Sequence, residues 1–319
     1  MSQLDISRSL IWHDELPVPN WDVVGRWIER QPEASRAEHW NDAARQWFEH
    51  LSEAAGEDYG YCEGKRTIVF GPMDERLFRN LTSCGDESQK TLLSLLPGIA
   101  EFRTPGKLLV LAWYGREDYY RYVSRFYGEG SFGASAGMHI RDDHPHIALC
   151  QVPGDRSIAT LAHETTHAAL SHLDLPQWIE EGLAQMFEND IAGRAAIMLT
   201  PEQGKKHRRY WNRHGLDLFW RGDCFHRSGD AQELSYELAE IFVRLIFSDH
   251  RPGWFSAGKQ KQLMRFLAAA KQADGGRDAA LDYLDYDLDT LAEKFLGPIE
   301  LEPKSDRPPN TTWNADWTQ

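Results

Sequence analysis

The chain has 319 residues, 41% of them hydrophobic, and a formal net charge of −14. That length and apolar content suffice for one large domain or two small ones with a buried core. The acidity speaks against general nucleic-acid binding, which shows as excess positive charge. Met1 to Leu10 lacks an apolar run and no stretch approaches the length of a membrane span, so a soluble, cytoplasmic protein with no membrane partner is expected. Cys62, Cys84, Cys150 and Cys224 form no CxxC pair and read as reduced thiols.

Residues 1–64 read as a helical N-terminal extension. Pro17 and Pro19 break the early pattern, Trp21, Val24, Trp27 and Ile28 suggest a short helix, and Ala37, Trp40, Ala44, Trp47, Phe48 and Leu51 repeat with helical period. The tryptophans are packing anchors. Glu57 to Gly64, polar and glycine-containing, marks a boundary. A sheet-containing part, 65–154, follows. In it Thr67 to Phe70 and Lys107 to Trp113 read as strands, and Asp86 to Phe102, interrupted near Pro97, and Glu117 to Phe126 as helices.

Gly128 to Gly137 is a glycine- and serine-rich loop. Two short strands follow it, Met138 to Arg141 and His146 to Cys150. His144 and His146, two apart, would share a strand face, but hairpin histidines of this kind read as polar turn residues rather than metal ligands.

The next helix starts near Asp155, with Ile158, Leu161, Ala162 and Thr165 as its packing face, and carries His163-Glu164-Thr165-Thr166-His167. On a helix the two imidazoles lie one turn apart on one face and can reach one metal ion, with Glu164 beside it. A catalytic zinc takes three protein ligands and leaves a fourth position to water, and a neighbouring carboxylate can accept that water's proton. The third ligand should come from a second helix. After His172 to Leu175 the chain breaks at Pro176 and restarts with Glu180 and Glu181, about 100° apart around the axis, so that one of them faces the metal.

His163 to His167 followed by Pro176-Gln177-Trp178-Ile179-Glu180-Glu181-Gly182-Leu183-Ala184 resembles the gluzincin zinc metallopeptidases, and within them the peptidase-MA-like group. The resemblance covers roughly residues 65–297, with its specific part between His163 and Ala184. It implies an α+β, zincin-like fold, a small mixed β-sheet followed by the active-site helix and a mainly helical C-terminal part. It implies one zinc ion per chain on His163, His167 and Glu181, the glutamate before the glycine being the third ligand, and Glu164 as the residue that activates water. Peptide-bond cleavage in a peptide or protein substrate follows, the substrate pairing with an edge strand at Gly137 to Arg141. The alternative is a catalytically inactive module of the same fold that binds peptides. The gap of thirteen residues between His167 and Glu181 is shorter than in the large aminopeptidases, so their exopeptidase specificity does not transfer.

The rest of the helical part, 155–297, contains a charge- and aromatic-rich stretch, 200–232, with the basic run Lys205 to Arg209, read mainly as a solvated face. Glu233 to Phe247 forms an amphipathic helix, Phe255 to Ala273 another that ends at Asp274-Gly275-Gly276, and Leu281 to Phe295 a last one. In the resembling enzymes a tyrosine on a helix after the third ligand donates to the oxyanion. By that resemblance Tyr236 is the candidate for this part, core packing being its other reading, with His214 and His226 in reserve. Gln185 is the candidate for orienting a ligand. The tail, 298–319, reads as extended or disordered.

Overall fold

A computed structural model describes residues 4–126, 135–142, 144–151, 157–191, 193, 200–250 and 257–298. The protein is mixed α+β, mostly helical, with one small mixed sheet. It divides into two compact units. The first comprises 1–175 and 179–196, the second 176–178 and 197–319.

The first unit opens with a β-hairpin of β1 (Leu10–His13) and β2 (Leu16–Pro19). Its two-residue loop, Asp14 and Glu15, has φ of 45° and 68°, the left-handed pair that matches the twist of the flanking strands. The stretch that Pro17 and Pro19 seemed to break is therefore paired. Helix α1 (Trp21–Glu29) is capped by the Asn20 side chain, and α2 (Glu33–Ala55) follows it. Trp47 on α2 donates its indole N–H to Pro17 O at 2.8 Å, tying the helix to the hairpin.

Glu57 to Gly64, expected as a boundary, contains strand β3 (Tyr59–Glu63). Tyr59 and Tyr61 alternate with small residues, and Tyr59 stacks on Phe70 at 5.3 Å. The N-terminal stretch thus contributes a strand to the main sheet. The sheet continues with β4 (Thr67–Pro72), helix α3 (Glu75–Leu95), β5 (Leu108–Tyr114), helix α4 (Gly115–Val123), β6 (Gly137–Ile140) and β7 (His146–Gln151). Helix α3 starts eleven residues before the expected Asp86, because Asp74 accepts from the Arg76 and Leu77 amides and caps it there. It ends ahead of Pro97, which cannot follow a helical residue cheaply. The strand order is β3-β4-β5-β7-β6, parallel between β4, β5 and β7 and antiparallel at both edges.

Strand alternation feeds two cores. One sheet face turns Ile68, Phe70, Leu109, Leu111, Trp113, Ala148 and Cys150 toward Trp47 and Phe48 of α2 and Tyr119 and Tyr122 of α4. The other turns Val69, Val110, Ala112, Ile147 and Leu149 toward α3 and α5 (Ser157–Leu170). Leu161 and Ala162 of α5 are buried there as expected, whereas Ile158 is exposed. Asp155, the expected start of α5, and the tail beyond 298 lie outside the described residues, as does most of the Gly128 to Gly137 loop.

His144 and His146 are core residues, not polar turn residues. His144 stacks against both Trp21, at 4.6 Å, and Trp40, at 5.1 Å, which themselves lie 6.0 Å apart. The His146 Nδ1–H donates to His144 O at 2.6 Å, and its Nε2 accepts from the Tyr122 hydroxyl at 2.7 Å. Two aromatic residues far upstream create this environment, which local sequence does not reveal.

Helix α6 (Gln177–Ile191) begins directly after Pro176, and its first two residues, Gln177 and Trp178, belong to the second unit. That unit contains α7 (Pro201–His214), with a Thr200–Gln203 capping box, α8 (Asp217–Trp220), α9 (Asp230–Asp249), α10 (Ala257–Ala269), α11 (Arg277–Tyr283) and α12 (Leu288–Leu296). Trp178, Trp211, Phe219, Trp220 and Phe242 form its aromatic core, with the Trp178 indole N–H donating to Gly275 O at 2.9 Å. The expected Leu281 to Phe295 helix is split, because Asp285 takes a left-handed φ of 62° between α11 and α12. Among the described residues no helix is long and apolar enough to cross a membrane.

Burial pushes the His144 imidazole down to about 3 and the His146 imidazole down to about 4. Both rings are neutral when folded and titrate near 6.5 when unfolded, so between those values the unfolded chain binds more protons. Their contribution to stability is full above about pH 6.5 and is lost as the pH falls toward 4. Urea midpoints measured from pH 7 to pH 5 should therefore drop, and His144→Phe, which keeps the stack and removes one titration, should flatten the profile.

Candidate metal centre

The i, i+4 spacing on α5 brings the His163 and His167 rings to 4.9 Å between centroids. Their Nε2 atoms face each other at 3.1 Å. Glu181 on α6 brings Oε2 to 3.5 Å from His163 Nε2 and 3.6 Å from His167 Nε2. Four-coordinate zinc with bonds of about 2.0–2.1 Å separates its ligand atoms by about 3.3 Å, so this triangle has the dimensions such an ion needs. Among the described residues these three form the group of His, Cys, Asp or Glu side chains able to hold a metal. The Glu181 Oε2 atom is buried and has no hydrogen-bond donor among the described residues, an orphaned acceptor that a cation would satisfy.

What aims the histidines is a second pair of carboxylates. His163 Nδ1 lies 3.2 Å from Glu188 Oε2, and His167 Nδ1 lies 2.9 Å from Glu180 Oε1. A carboxylate can only accept, so each Nδ1 carries a proton and each Nε2 is left to the centre. Glu180 is held in turn by Arg141, whose Nη2 donates to the same Oε1 at 2.9 Å. The roughly 100° between Glu180 and Glu181 thus gives them two jobs. Glu188, seven residues beyond Glu181, lies on nearly the same helix face. That spacing is a signal the sequence contained, and the carboxylates, not Gln185, fill the orienting role.

Burial pulls the His163 imidazole down, but the neighbouring Glu181 and Glu188 carboxylates more than offset it and raise it to about 9. His167 is likewise raised well above its ordinary value, burial being outweighed by the Glu181 charge and the Glu180 bond. Glu181 is held far below the usual carboxylate range, the two imidazoles overcoming its burial. In chemical terms this is a cluster of negative charge that attracts positive charge strongly.

Glu164 is buried on α5, and its Oε2 accepts from the His139 main-chain N–H of β6 at 2.8 Å. Strand β6 is an edge of the sheet. Cys150 N–H donates to Ala136 O at 2.9 Å, so the pairs 136/150, 138/148 and 140/146 carry the ladder bonds, and Gly137 and His139 turn their main-chain groups away from β7. Gly137 is required where it stands: a Cβ there would lie 2.4 Å from Thr160 Cγ2 and 3.1 Å from Glu164 Cγ. The His139 ring shares that strand face. It is buried, its Nδ1 has no partner among the described residues, and burial with the nearby His167 charge pushes it down to about 3. Sequence reasoning missed His139 and Arg141 as neighbours of the centre, since only the β6–α5 packing brings them there.

Tyr236 lies in the second unit, on α9, its ring edge-on to Phe225 at 5.2 Å. His214 and His226 also belong to that unit and are exposed. In the basic run, His207 is buried and bonds Glu237 at 2.9 Å, Lys206 pairs with Asp230 at 3.1 Å, and Lys205, Arg208 and Arg209 are exposed.

The sequence matches no family model and no curated protein. Among solved structures, the chain is similar to native leukotriene A4 hydrolase from Saccharomyces cerevisiae and to one described as native yeast LTA4 hydrolase. TM-scores are 0.36 and 0.37, with 13% and 14% identity over 79% of this chain. The match spans 40% of the length of those proteins.

Replacing Glu180 or Glu188 by Gln should weaken zinc affinity roughly 10- to 100-fold without changing the stoichiometry. Competition with a chromophoric chelator measures this, and unchanged affinity in both variants would contradict the orienting role.

Proposed function

We propose that this protein is a zinc-dependent hydrolase of the gluzincin type, and that it cleaves peptide bonds. The observation that carries the reading is the triangle of His163 Nε2, His167 Nε2 and Glu181 Oε2, with edges of 3.1, 3.5 and 3.6 Å, beside the buried Glu164. His163, His167 and Glu181 would hold the zinc. Bound there, it would supply Lewis acidity and lower the pKa of a water toward neutrality.

The chain's own residues do the rest. Glu180 and Glu188 keep the two imidazoles in the tautomer that points Nε2 inward. Glu164 takes the proton of the attacking water and returns it to the leaving nitrogen. The outward main-chain groups of Gly137 and His139 offer an extended peptide a strand to pair with, next to Glu164.

The test compares the zinc-loaded wild type with Glu164→Gln on a mixture of casein-derived peptides, read by mass spectrometry. Loss of a general base should lower cleavage by roughly 100- to 10,000-fold while zinc content and fold are kept. Cleavage by the variant at the wild-type rate would contradict the mechanism. Zinc binding with no cleavage by the wild type would favour the peptide-binding module.

A further inference from the structure

The His139 N–H has two claimants. It is one of the groups that β6 turns away from β7, at the edge of the sheet, where an extended chain must find its donors. In the protein without substrate that same N–H is already given to Glu164 Oε2 at 2.8 Å. The bond is charge-assisted and buried, the kind that contributes most. Two independent observations fix the outward direction: the Cys150–Ala136 ladder bond, and the Gly137 carbonyl, which accepts from the Ser135 hydroxyl rather than from β7.

We propose that the His139 main-chain N–H is a shared donor that couples substrate docking to the general base. In the free protein it holds the Glu164 carboxylate against the strand. When a peptide pairs with β6, a substrate carbonyl takes the N–H, and Glu164 is released from the strand as the peptide arrives. The inference rests on the peptide-hydrolase reading above and assigns His139 as a positioning residue for Glu164. Gly137 lets this happen, because a side chain there would displace Glu164 Cγ and Thr160.

Competition makes a prediction that cooperation does not: removing the Glu164 carboxylate should tighten peptide binding. The probe is a blocked, dansyl-labelled penta-alanine peptide whose central bond is reduced and cannot be cleaved, titrated into the zinc-loaded protein. Main-chain pairing does not depend on sequence, so the probe isolates the edge strand. Glu164→Ala should bind it roughly tenfold more tightly than wild type, given what a hydrogen bond to a charged acceptor contributes. Glu164→Gln, with a neutral acceptor, should fall between. His139→Pro removes the N–H and not a ladder bond, since that N–H faces away from β7. In that background Glu164→Ala should give no gain.

Melting temperature and zinc content serve as checks on each variant. Equal or weaker binding by both Glu164→Ala and Glu164→Gln would overturn the competition while leaving the hydrolase reading intact. No binding by any of these proteins would overturn the peptide reading and this inference with it.

Discussion

The structure of the centre depends on one constraint: both histidine Nδ1 atoms are committed to carboxylates. Glu188 and Glu180 take them, at 3.2 and 2.9 Å, and the two Nε2 atoms therefore converge at 3.1 Å with Glu181 opposite. Without that commitment the rings could turn either nitrogen inward, and the triangle would be one arrangement among several. The charge balance follows from the same residues. Four carboxylates, Glu164, Glu180, Glu181 and Glu188, surround two imidazoles that have become strong bases, and Arg141 offsets part of the excess.

The sheet exists, in functional terms, to set α5 against β6. Val69, Val110, Ala112, Ile147 and Leu149 give α5 an apolar floor, and Gly137 lets it come close enough for Glu164 to reach a main-chain N–H on the edge strand. On the opposite face, His144 stacks against Trp21 and Trp40, and the Tyr122 hydroxyl donates to His146 at the start of β7. The N-terminal stretch is therefore part of the support for the candidate centre.

How much of this the sequence revealed follows the range of the interactions. His163, Glu164 and His167 were legible because their geometry is set by one helix, and Glu181 because its helix follows within a few residues. The core strands were legible from apolar runs. Glu188 was not seen, although it stands two turns beyond Glu181, because its spacing has meaning only once α6 is known to lie along α5. His144 was misread because its burial comes from Trp21 and Trp40, and β3 because five residues of Tyr-Gly-Tyr-Cys-Glu make a short alternation inside a polar stretch. The break at Asp285 rests on a single left-handed residue in an otherwise helical pattern.

The central claim is that His163, His167 and Glu181 hold one metal ion. The most direct test is elemental analysis of the protein purified without added metal, alongside a His163→Ala variant, followed by dialysis of both against zinc. The account predicts about one zinc per chain in the wild type and its loss in the variant. A wild type that carries no metal and takes up none, or a variant that keeps its zinc, would contradict it.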